Sequence, residues 1–148
     1  MKTIFDPAVR KDLIERSNRI TSQSERKWGS MRPDQGLHHI NNAFQLYLGE
    51  ITAPYQGNDF IAALARLFVF SPIPIPKGKT KTAAELVAAD TYDLSAEKQH
   101  FAELINRIAA AAGTRKWPVH AFFGKLSEEQ YGKLGYKHTD HHLKQFGV

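Results

Sequence analysis

His138-Thr139-Asp140-His141-His142-Leu143-Lys144-Gln145 is the stretch on which the fold turns. Upstream of it, Ser127 and Gln130 have capping-box spacing, and Gly147 offers a stop at the other end. The helix between them carries Tyr131, Leu134, His138, His142 and Gln145 at helical intervals. With Tyr131 at zero, Leu134 falls near about −60°, His138 near about −20°, His142 near about +20° and Gln145 near about −40°. The two histidines therefore share the apolar face, and at i and i+4 their rings can close on one metal ion. His141 falls on the flank of that face. Asp140 points directly away and reads as a solvent-facing residue.

The rest of the chain supplies partners for this helix. Asp6 is placed to cap a first helix that begins at Pro7 and carries Val9, Leu13, Ile14 and Ile20 up to about Lys27. Pro33 opens a second, with Leu37, Ile40, Phe44, Tyr47 and Leu48 on one stripe and Gly49 as a left-handed stop. Ser95 is placed to cap a third, with Phe101, Leu104, Ile105 and Ile108 on its stripe and Gly113 at its close. Between the second and third lies a long crossover. It holds an amphipathic piece from about Asp59 to Phe70, then Ser71-Pro72-Ile73-Pro74-Ile75-Pro76, which cannot be helical, then an alanine-rich turn near Ala83 to Ala89. Trp117 to Gly124 reads as a loop. The expected fold is all-α, four principal helices with one long connection, in a single domain over residues 1–148, an architecture that builds metal sites from inward-facing side chains.

Composition narrows the chemistry. The chain has no cysteine, so disulfides, thiolate zinc sites and cysteine nucleophiles are excluded and any metal must be held by nitrogen and oxygen. The amino terminus lacks the apolar core of a signal peptide, and the most apolar run, Phe60 to Phe70, is broken by Arg66 and falls short of the roughly 20 residues that cross a bilayer. A cytoplasmic protein without a membrane span is expected. The net charge of +5 is scattered among acids, which argues for a solvated basic surface and against nucleic acid as a partner. Gly78-Lys79-Thr80 invites comparison with a phosphate loop, but position 73 is Ile73 where that motif requires glycine.

A third metal ligand would come from helix two. His38 and His39 both lie off its main stripe, on opposite sides. His39 aligns with Ala43 and Leu46, a second semi-apolar edge, whereas His38 aligns with Asn41, Asn42 and Gln45. This favours His39 as the inward one, with His38 the alternative. His39, His138 and His142 would form a three-nitrogen site with an open position for water or substrate. No carboxylate falls on the histidine stripe, so a base, if one is needed, would be His120 or His141. The competing reading takes these histidines as hydrogen-bonded core residues, and Trp117, Phe122 and Phe123 as core anchors. Phe68 and Phe70 would suit either a homodimer seam or the interior.

The closing segment His138 to Gly147, with Met31-Arg32-Pro33 leading to His39 and the Trp117-to-Leu126 segment containing His120 and Phe123-Gly124, resembles the DinB/YfiT-like putative metalloenzymes. The resemblance covers essentially the whole chain in helix order, and the closing motif is its specific part. It implies a four-helix bundle with a long crossover, and a divalent metal, nickel or zinc most often and iron as a further option, bound by one histidine of the second helix and an i, i+4 pair of the last. Carried over, these are His39, His138 and His142. It further implies a small-molecule substrate, with thiol-dependent transfer as the most concrete reaction because some relatives use low-molecular-weight thiols. Many relatives follow the histidine pair with Arg-Gly-Gln, where this chain has Leu143-Lys144-Gln145. The rival functional reading is a non-catalytic bundle that dimerises or binds a partner, with a structural metal or none.

Overall fold

The computed structural model describes residues 1–55, 58–78 and 89–148. These are helical without a named strand and form five helices, α1 (Pro7–Arg19), α2 (Pro33–Tyr47), α3 (Asp59–Val69), α4 (Leu94–Ala110) and α5 (Glu128–Gln145). Among the described residues no helix is long and apolar enough to cross a membrane. The alanine-rich turn expected near Ala83, and Lys79, Thr80 and Lys81 of the basic cluster, lie outside the described residues.

Local chemistry explains most of the helix ends. The Asp6 side chain accepts the Ala8 N–H, and Pro7 takes the first turn, where its missing N–H leaves no bond unmade. In α5 the full capping box forms, with the Ser127 side chain accepting from Gln130 N–H and the Gln130 side chain accepting from Ser127 N–H. Gly49, Gly113 and Gly147 take positive φ just beyond α2, α4 and α5.

Two boundaries differ from the sequence expectation. Helix α1 stops at Arg19, well before Lys27, because Ile20 turns extended and buries its side chain while the Thr21 N–H bonds the Ser24 hydroxyl. Serine, threonine and asparagine offer the backbone such local alternatives to a helix. The α4 cap is Asp93, whose carboxylate accepts from both Ser95 and Ala96 N–H. Ser95 thus lies inside the first turn.

Helix α2 packs on α4 and α5, and α1 packs on the same two helices from the other side. The core between them holds Leu13, Leu37, Ile40, Phe44, Phe101, Leu104, Ile105, Ile108 and Leu143, with the Phe44 and Phe101 rings stacked at 5.9 Å. Helix α3, formed by the amphipathic piece of the expected crossover, makes five helices where four principal ones were expected. It touches the rest of the protein through Ala62 and Val69, and through Arg66, whose guanidinium donates to the Phe123 carbonyl at 2.6 Å.

Glycine allows two close approaches that position α5. A Cβ on Gly36 would collide with the Phe146 ring, so its absence lets the start of α2 lie against the end of α5. Gly132 and Gly135 likewise leave room for Thr3, Ile4 and Phe5, and the Ile4 N–H donates to the Gly132 carbonyl at 3.1 Å. The N-terminal segment is thereby fastened along α5.

Candidate metal centre

About two turns into α2 and about three to four turns into α5, the facing helices bring His39, His138 and His142 together, each offering one ring nitrogen, with those atoms all within 4.8 Å of one another. The Nε2 atoms of His39 and His138 are 3.1 Å apart. Two nitrogens bound at about 2.0–2.1 Å to one ion stand roughly 2.9–3.4 Å apart for bond angles between about 90° and 110°, so this pair is already at ligand spacing. The three rings meet edge to face at centroid distances of 4.7 to 5.0 Å.

The electrostatics favour lone pairs over protons. Burial pushes His142 down to about 3, assisted by the neighbouring His39. Burial also holds His138 well below the ordinary imidazole range, with His142, His39, His141 and His120 each opposing a positive charge there. Neutral imidazoles are the form that binds a metal.

The tautomer of His142 is set by its neighbours. Gln145 donates through Nε2 to the Trp28 carbonyl at 2.8 Å, which leaves its Oε1 to accept from His142 Nδ1–H at 2.9 Å. With the proton on Nδ1, Nε2 carries the lone pair. His138 has its Nδ1 buried away from any protein partner among the described residues and turns Nε2 to His39. Three converging imidazole nitrogens, two of them held neutral by burial, are a donor set suited to a first-row divalent ion.

The two helix-two histidines face different helices. His38 faces α4, where its Nδ1 pairs with Glu97 Oε1 at 2.9 Å and its ring stacks on Tyr92 at 3.7 Å. Asn41 donates to the other Glu97 oxygen at 2.6 Å, so Glu97 is held from two positions on α2. His39 faces α5.

His120 and His141 lie outside the three-nitrogen cluster. His141 packs edge-on behind His142 at 5.1 Å and against Trp28 at 5.4 Å, and burial lowers its pKa. Its other side lines a crevice of about 370 Å³ between α5 and the crossover, walled by Trp28, Phe70 and Pro74. His120 is held by its loop: Trp117 stacks on Tyr131 at 5.1 Å, the Tyr131 hydroxyl donates to the Pro118 carbonyl at 2.8 Å, and His120 and Gly124 exchange backbone hydrogen bonds. The His120 Nδ1 accepts from the N–H groups of Phe122 and Phe123, at 3.1 and 3.3 Å, so in the neutral ring Nε2 carries the proton. Burial pushes His120 down to about 4, which keeps it neutral. The ring lines a small cleft of about 100 Å³ with Ala43, Tyr47 and Tyr131.

Asp140 departs from the sequence expectation. It is largely buried against α1, with Arg16 at 2.9 Å and Lys144 at 2.8 Å from its two oxygens. The face of α5 opposite the histidine stripe is thus covered by α1. Gln145 and Trp28 were not among the expected site residues. Gln145 shared the histidine stripe, which was a usable signal, whereas nothing local marked Trp28.

The family model described as protein of unknown function (DUF1569) matches residues 63–147, a span that contains His120, His138 and His142. No curated protein and no solved structure matches the chain. Because the matched span covers more than half of the sequence, from within α3 to the end of α5, the chain belongs to the DUF1569 family of proteins of unknown function.

Proposed function

We propose that the protein is a metal-dependent enzyme of the DinB-like four-helix-bundle type, in which α1, α2, α4 and α5 form the bundle and His39, His138 and His142 hold a divalent ion. The observation that carries this reading is the convergence of three ring nitrogens within 4.8 Å. When bound, such an ion would supply a Lewis acid able to ionise a thiol or a water, or to polarise a carbonyl.

The protein's own residues then have distinct roles. Gln145 fixes the His142 ring so that Nε2 points inward. His120, with Nδ1 occupied by backbone donors, presents an N–H and no lone pair, so its role is that of a neutral donor stabilising a developing negative charge. His141, behind His142, positions that ring. With no carboxylate joining the cluster among the described residues, transfer of a low-molecular-weight thiol to a small molecule is the reaction that asks least of the protein. The cleft beside Tyr47 and His120 reaches Ala43, one turn of α2 from His39, and is the proposed approach for such a substrate.

The test is metal content by inductively coupled plasma mass spectrometry, comparing the protein with a variant carrying alanine at His39, His138 and His142. Near-stoichiometric nickel, zinc or iron that vanishes in the variant is expected. Equal metal in both, or none in the native protein after reconstitution, would overturn the reading. A second reading rests on the placement of the ligands on two helices, α2 and α5, which an ion would staple together. A purely structural ion predicts that the cobalt-substituted protein shows no spectral change with a small thiol.

A further inference from the structure

Helix α3 is amphipathic in the unexpected sense. Its small residue Ala62 and its Val69 face the protein, while Phe60, Ile61, Leu64, Leu67 and Phe68 are 80%, 58%, 61%, 75% and 41% exposed. At about 100° per residue those five side chains fall within a stripe roughly 120° wide. The stripe contains no charged residue, since Asp59 bonds Tyr55 and Arg66 bonds the Phe123 carbonyl. Phe70, the other aromatic of this segment, packs against the core instead.

We propose that two copies of the chain pair through this stripe, antiparallel, as a two-fold homodimer that is independent of the metal reading. Area supports a second copy. The five side chains expose roughly 600–700 Å², beyond the few hundred Å² of the usual apolar patch on a monomer and near the roughly 800 Å² per partner of a standard interface. The pattern is self-complementary. Ile61, Leu64 and Phe68 follow a, d, a spacing with Phe60 and Leu67 beside them, so an antiparallel crossing near Leu64 sets the 60–61 end of each helix against the 67–68 end of the other. It also places each helix N-terminus beside the other's C-terminus, the favourable arrangement of their dipoles. A membrane surface is the poorer fit. A helix lying in a lipid interface carries several lysines or arginines on its polar face, and α3 holds a single arginine, tied to the protein.

The test uses the full chain. Sedimentation equilibrium of the native protein is expected to give a dimer in the micromolar range, and Leu64→Glu with Leu67→Glu is expected to give a monomer with unchanged circular dichroism, because both side chains are exposed in the single chain. The cysteine-free background allows a second measurement. A short bismaleimide should join two copies of Leu64→Cys and should leave Asn18→Cys, on exposed α1 surface, unjoined. A native monomer at about 100 μM, a double variant that remains dimeric, or equal cross-linking at both positions would overturn the proposal. Co-sedimentation of monomeric protein with phosphatidylcholine–phosphatidylserine vesicles, lost in the double variant, would overturn it in favour of a lipid surface.

Discussion

The Nδ1 of His142 and the Oε1 of Gln145 lie 2.9 Å apart, and the direction of that hydrogen bond is dictated from outside the pair. The Gln145 amide nitrogen is committed to the Trp28 carbonyl, so its oxygen is the acceptor and His142 the donor. Replacing such a partner of a metal ligand typically lowers affinity 10–100-fold. Gln145→Ala is therefore expected to weaken zinc or nickel binding by about that factor with the fold intact, measured by competition against a chromogenic chelator.

His38 and His39 are adjacent and should behave oppositely. His39→Ala removes a proposed ligand and is expected to abolish stoichiometric metal binding. His38→Ala should retain the metal and lower stability by about 1.5–3 kcal/mol, the scale of a lost hydrogen bond to a charged group, since it removes one of the two α2 side chains that hold Glu97. Metal analysis and urea denaturation of both variants check the pair.

The metal-free protein should weaken in mild acid. His120 and His142 sit at about 4 and about 3 because burial disfavours the charged ring, against about 6.5 in the unfolded chain. The unfolded state binds more protons between these values. Stability from these groups is thus complete above about pH 6.5 and is lost as pH falls toward 4, by up to about 1.4 kcal/mol per pH unit for each imidazole. His120→Asn, whose side-chain oxygen can accept the same backbone N–H groups, should shallow that slope in denaturation midpoints measured from pH 7 to 5.

Arg16 bonds both Asp140 and the Val148 carbonyl, joining α1 to α5 across mostly buried surface. Arg16→Met keeps much of the side-chain volume while leaving Asp140 with Lys144 alone. A loss of about 1.5–3 kcal/mol is expected, the range for hydrogen bonds to charged groups, with metal affinity unchanged.

Gly36→Ala tests the close approach of α2 and α5. The added methyl meets the Phe146 ring, and overpacking of this kind costs about 1–3 kcal/mol, although alanine is the better helix former. A lowered melting temperature together with weakened metal binding is expected, because the same contact sets His39 against α5.

Features that depend on a few neighbouring residues were legible in the sequence. The Asp6 cap, Pro7 and Pro33 at helix starts, the Ser127–Gln130 box and the glycines after α2, α4 and α5 all express chemistry within one helical turn. The shared face of His138 and His142 follows from helical geometry alone. Where local preferences compete, as in the serine-rich stretch after Arg19, the boundary was misplaced.

By itself, then, the sequence determined the order of the four principal helices, the exclusion of thiolate ligands and the pairing of two histidines at one turn's spacing, because these follow from composition and backbone period. Only the tertiary structure decided that His39 and not His38 meets that pair, that Asp140 is covered by Arg16, that the apolar stripe of α3 faces outward, and that Trp28 holds Gln145 from 117 positions away. Those outcomes depend on how each helix rotates about its axis as it packs. That rotation is set by the combined burial of all its neighbours, which no window along one helix contains.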